Sequence, residues 1–130
     1  MFRTILALSL IATTATADEV WTSTTGDVIY EDEKAGAAIF SFITETGTRA
    51  ELVIPGLAGN YDNRGVHDAL WIGTGPDQCA VSMMRPEGQP SMDWGTAVIS
   101  FDRPAFPTGF TLTIGDCMGP LTRSMRAELN

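Results

Sequence analysis

The chain has 130 residues, 44% of them hydrophobic, and a formal net charge of −8 from sixteen acidic against eight basic side chains. Its length suits one domain, and its apolar content, with three Trp and six Phe, excludes a disordered chain. The acidic balance argues against nucleic acid or anionic membrane surfaces as partners, because both reward Lys and Arg.

Met1 to Ala17 has the order of a secretory signal peptide. Arg3 supplies the positive start, Ile5 to Ala12 the apolar run, and Ala15-Thr16-Ala17 an A-x-A cleavage site before Asp18. The apolar run is about half the length that spans a bilayer, so no membrane span is expected. Residues 1–17 therefore read as a leader, and 18–130 as a single mature domain, periplasmic or secreted. The leader holds one of the eight basic residues and no acid, so the mature chain carries −9. Lys34 is the only lysine, a usage that resembles GC-rich bacterial genomes. No cysteine follows the apolar run, so no lipid anchor is expected.

In chain order, hydrophobic period two dominates. VWTST and DVIYED are separated by a Thr25-Gly26-Asp27 turn, and Glu31-Asp32-Glu33-Lys34 reads as a solvated hairpin tip. In GAAIFSFIT, Ala38, Phe40 and Phe42 share one face while Ile39 and Ile43 fill the other. That pattern predicts a central strand buried on both sides. TRAELVI follows, ended by Pro55-Gly56, and then a long polar loop leads into ALWI. QCAVSMM places Cys79, Val81 and Met83 on one face of a further strand. Ala97 to Phe101 and Phe110 to Ile114 alternate cleanly. Leu121, Met125 and Leu129, spaced by four, read as an irregular or short helical tail, with a final edge strand as the alternative. Short strands with Gly/Pro turns at this spacing predict an all-β domain, a small antiparallel β-sandwich or barrel of about 7–8 strands. Cys79 and Cys117 are the only cysteines, and export makes a single disulfide between them the expected pairing. The chain-entropy model assigns such a loop roughly 4 kcal/mol at its upper end.

Few residues stand out for chemistry. GLAGNYDNRGVHDALW gathers Asn60, Asp62, Asn63, Arg64 and His67 around three glycines. Asn60, Asp62 and Arg64 echo a calcium loop, but Arg64 stands where an acid is needed and Trp71 where the bidentate glutamate belongs. The single histidine and two paired cysteines complete no metal set, and no cofactor motif occurs. No nucleophile elbow is present, and His67 and Asp68 would face opposite ways on a strand. Trp71 lies between Leu70 and Ile72 and reads as core, whereas Trp94, between Asp93 and Gly95, sits in a loop.

The expectation is a monomeric binding or accessory domain without catalytic activity, taking a protein or carbohydrate ligand. Its surface would combine the Gly56–His67 loop, with Asn60, Asp62, Asn63, Arg64 and His67, and the Pro90–Gly95 loop, with Trp94. A second expectation is an acidic inhibitor of a cationic secreted enzyme such as a lysozyme. A third, a carboxylate-dependent hydrolase, would need a concave cleft with two close carboxyl groups and raised pKa.

Overall fold

The computed structural model describes residues 19–58, 64–76, 78–105 and 107–130. The expected leader lies outside them. Ten strands form: β1 (Val20–Ser23), β2 (Gly26–Lys34), β3 (Ala37–Ile43), β4 (Arg49–Ile54), β5 (Val66–Ile72), β6 (Met83–Met84), β7 (Pro90–Ser91), β8 (Trp94–Phe101), β9 (Phe110–Gly115) and β10 (Leu121–Leu129). Eight close an antiparallel barrel in the order β1-β10-β9-β8-β5-β4-β3-β2, and β6 and β7 pair separately. Of the two architectures expected, the barrel is the one formed. Full closure removes the edge strands of the eight-stranded sheet.

The inward row of each barrel strand is apolar, and eight strands enclose only enough space for side chains to fill. Phe40 stacks on Trp21 at 5.2 Å between ring centroids, Tyr30 leans on Phe40 at 4.9 Å, and Phe110 meets Trp21 edge-on at 5.2 Å. Leu52, Ile54, Ile99 and Leu112 fill the remainder and are fully buried. The lumen is a core, not a channel. On β3 the outward residues Ala37, Ile39 and Ser41 are buried too, so the two-sided burial read from GAAIFSFIT holds.

Two expected elements differ. QCAVSMM does not extend as one strand, since only Met83–Met84 pairs, with Pro90–Ser91. The segment bends so that Cys79 can reach Cys117, whose Cα lies 5.6 Å from its own. The C-terminal segment is neither irregular nor helical: β10 pairs β9 on one side and β1 on the other and closes the barrel. A spacing of four fits two strand repeats as well as one helical turn, and Ala127, buried between the half-buried Met125 and Leu129, shows period two to be the operating one. Glu31 to Lys34 are exposed as expected. They belong to β2, however, and the turn itself is Ala35-Gly36, both at positive φ (51° and 79°).

Candidate functional site

The antiparallel order sorts the loops between two ends. One end gathers the β1–β2 turn, the β3–β4 hairpin (44–48), the long β5–β8 insertion (73–93) and the β9–β10 turn (116–120). The opposite end gathers the β2–β3 turn, the β4–β5 loop (55–65) and the β8–β9 loop (102–109). The described parts of the Gly56–His67 and Pro90–Gly95 loops therefore lie at opposite ends, with Arg64 and His67 at one and Trp94 at the other.

Asn60, Asp62 and Asn63 fall outside the described residues. Arg64 is fully buried: its guanidinium donates to both carboxylate oxygens of Glu19, at 2.7 Å for Nη1–Oε2, and lies 5.3 Å from the centre of the Phe101 ring. Its backbone N–H donates to Pro104 O at 2.6 Å. Arg64 thus ties the N-terminal end of β1 and two loops into a plug, helped by Trp21 Nε1, which donates to Thr108 O at 2.8 Å. His67 is half-buried on β5, on the same face as Ala69 and Trp71, with Nδ1 against Gly56, and Asp68 faces the other way. Trp94 is 1% exposed, so no ring face is offered at the surface. Its Nε1 donates to Val81 O at 2.8 Å, and it packs with Ile72 and Cys79 outside the barrel wall. Trp71 is core, as expected, at 4% exposure.

The open end carries a cavity of about 490 Å³. Trp71 and Ile114 form its floor, Thr44, Thr46 and Thr48 one wall, and Asp93 with the Gly75–Pro76 turn the other. The floor is reached because Gly95 has no side chain: a Cβ there would collide with Gly115 O and with Trp71 Nε1. That freedom lets the indole donate to Gly115 O at 2.7 Å. Asp93 is 4% exposed, and its Oδ2 accepts the Gly75 N–H at 2.8 Å. That bond and Gly73 N–H to Asp93 O at 2.7 Å close the insertion on itself, and the disulfide ties it to the β9–β10 turn. At the lip, Arg123 donates to both Asp116 oxygens at 2.9 and 3.1 Å and lies 3.5 Å from Glu45. The Asp116 hydrogen bonds hold the Arg123 pKa above its ordinary value.

No protein family, curated protein or solved structure matches this chain. Its chemistry has to be read from its own side chains.

A second concavity, about 480 Å³, lies on the outer wall over β2, β3 and β4, under the turn at Arg85–Glu87. Ser41 donates to Glu31 at 2.7 Å and accepts from Arg49 Nη1 at 2.8 Å. Glu51 and Glu87 are hydrogen-bonded to one another, with Arg85 Nη2 3.3 Å from Glu51. Burial, then the Glu87 contact, pushes the Glu51 pKa up to about 7 against the pull of Arg85. Glu87 is lowered, chiefly by its hydrogen bond from Glu51. Two close carboxyl groups with one raised pKa are the feature a carboxylate hydrolase would need. Here they bond to each other, whereas glycoside hydrolysis requires them about 5 Å or more apart, with the reacting oxygen or water between. Among the described residues, no three His, Cys, Asp or Glu side chains cluster to hold a metal.

Asp93, Glu51 and Glu87 went unnoticed in the sequence. Glu51 alternates outward between the inward Ala50 and Leu52, the ordinary pattern of a solvated strand face. Asp93 was visible only as a neighbour of Trp94.

Proposed function

We propose that this chain is an exported ligand-binding domain that works without catalysis, and that its ligand occupies the open mouth of the barrel. The observation that carries the reading is the cavity of about 490 Å³ with an apolar floor, Trp71 and Ile114, beneath a polar rim. Small-molecule sites are concave, largely apolar and equipped with a few fixed polar groups, and barrel mouths are a recurrent place for them. The disulfide and the Asp93 hydrogen bonds favour a preformed site, which spares a ligand the cost of ordering the insertion. Export is proposed from the leader-like Met1–Ala17 segment and is compatible with the disulfide.

The test is a screen of mixed neutral and charged fragments by saturation-transfer NMR against the oxidised protein and against Thr46→Trp. Thr46 is exposed on the rim, so the larger side chain obstructs the mouth without entering the core. Binding that disappears in Thr46→Trp is expected. If no fragment binds, or if binding is indifferent to the substitution, the mouth is not a ligand site.

The excess of acidic side chains favours one other reading, capture of a basic secreted enzyme such as a lysozyme. Inhibition of lysozyme at micromolar protein and low salt, weakening as salt rises, would support it; no inhibition under those conditions removes it.

A further inference from the structure

Asp93 differs from the other described acids of the mouth. Asp116 and Glu45 share Arg123. Asp93 is more deeply buried than either, and among the described residues no Lys, Arg or His pairs with its carboxylate. Its one side-chain hydrogen bond, Gly75 N–H to Oδ2, uses one oxygen. Buried carboxylates are ordinarily matched by a cation, because removal from water without one is costly.

Its neighbour on the floor is an indole. A methyl group built at Gly73 would strike the Asp93 carboxylate and lie 3.3 Å from Trp71 Cζ3, so the two groups flank a single point of the backbone. Trp71 spends its only N–H on Gly115 O, which leaves apolar ring atoms to line the cavity. A carboxylate attracts a cation by charge, and an indole does so through its quadrupole while also receiving methyl groups.

We propose that the mouth takes a small organic cation, a quaternary or alkyl ammonium, lying on the cavity side against both Asp93 and Trp71. The inference rests on the mouth being a ligand site and names the class of ligand. A hard metal ion fits less well, since calcium takes six to eight oxygen ligands and most of this cavity is ring and aliphatic surface. A neutral sugar fits less well too: it would leave Asp93 without a counter-charge, and the hydroxyls of Thr44, Thr46 and Thr48 already bond to one another at 2.8–3.3 Å.

The probes are choline and its uncharged isostere 3,3-dimethyl-1-butanol, titrated into the isotope-labelled, oxidised protein at low ionic strength. Amide shifts are followed in the wild type and in Asp93→Asn, which keeps an acceptor for the Gly75 N–H. Choline should move the amides of Thr46, Gly73 and Gly75 and the Trp71 indole signal, and should bind at least about tenfold more tightly than the isostere. Asp93→Asn should erase that preference. Equal binding of the two probes, or an unchanged preference in Asp93→Asn, overturns the cation assignment while leaving a mouth site intact. Should Asp93→Asn fail to fold, salt decides in the wild type: choline binding must weaken as ionic strength rises while isostere binding holds, and equal salt responses overturn the assignment. No response to either probe at these signals overturns the ligand class, and the fragment screen separately decides whether the mouth binds anything.

Discussion

Between pH 5 and 8 the protein should lose about 2 kcal/mol of stability, and the loss should run through Glu51. Glu51 and Glu87 share a proton across the joint between the 85–87 turn and the barrel wall. A carboxyl group whose pKa is raised by folding stabilises the fold while it is protonated. That contribution is complete below its unfolded value, 4.5, and is gone once pH has risen past its folded value of about 7. The displacement corresponds to about 3 kcal/mol at 1.36 kcal/mol for each factor of ten in the equilibrium. Glu51 keeps 14% of its side chain exposed and Glu87 48%, so solvent screening trims the observable part to about 2 kcal/mol. Arg85, Glu31, Asp32, Lys34 and Arg49 border the same groove. Urea unfolding at pH 5, 6, 7 and 8 and constant ionic strength reads the effect as a midpoint lowered by about 1 M or more. Glu51→Gln can still donate to Glu87 and does not titrate, so its midpoint should stay nearly level. A wild-type midpoint independent of pH, or an equal fall in Glu51→Gln, would refute the shared proton.

Other consequences follow from single contacts. Replacing Cys79 and Cys117 together by Ser should cost about 3–4 kcal/mol, seen as a lowered thermal midpoint with the β-type circular dichroism retained in the cold. Gly95→Ala drives a Cβ into the Gly115 carbonyl, backbone that no rotamer change can clear, and should cost about 3 kcal/mol in urea unfolding. Arg64→Ala strands the Glu19 carboxylate at the plugged end and should cost about 3 kcal/mol or more by the same measurement, with no effect on binding at the mouth.

How much of this was legible in the sequence depends on whether a feature is periodic. Phe110-Thr111-Leu112-Thr113-Ile114 became β9 with Phe110, Leu112 and Ile114 inward, and GAAIFSFIT became a strand covered on both faces. The disulfide followed from there being two cysteines in a chain with a leader-like start. Barrel closure was not legible, because it depends on β10 finding β1 across the whole chain, and no local signal encodes that pairing. The candidate site was missed for a related reason. Polar density pointed to Arg64 and His67, but Arg64 is polar in order to plug one end. Trp94 in a Gly- and Pro-rich stretch looked like a surface aromatic, whereas the insertion and the disulfide fold over it. Asp93, Trp71 and Thr46 come from three separate segments, and only the barrel order brings them to one mouth.

The two ends of the barrel are built on opposite principles, and this contrast is why the mouth is the place to look for function. At the plugged end, among the described residues, several large polar groups are spent on partners within the protein: Arg64 on Glu19, Trp21 Nε1 on Thr108 O, Arg126 on Asp102 and Glu128. Between the ends, the interlocked rings of Trp21, Phe40 and Phe110 leave no room for a ligand. A molecule recognised by this barrel cannot enter it and has to be read at the rim. At the open rim an insertion of some twenty residues, closed on itself by the Asp93 hydrogen bonds and tied to the β9–β10 turn by the disulfide, covers one side of the mouth. A barrel already closed by its own eight strands has no need of that insertion for closure. The insertion shapes the cavity, brings Asp93 to the edge of the Trp71 floor, and covers Trp94 and Ile72 on the outer wall.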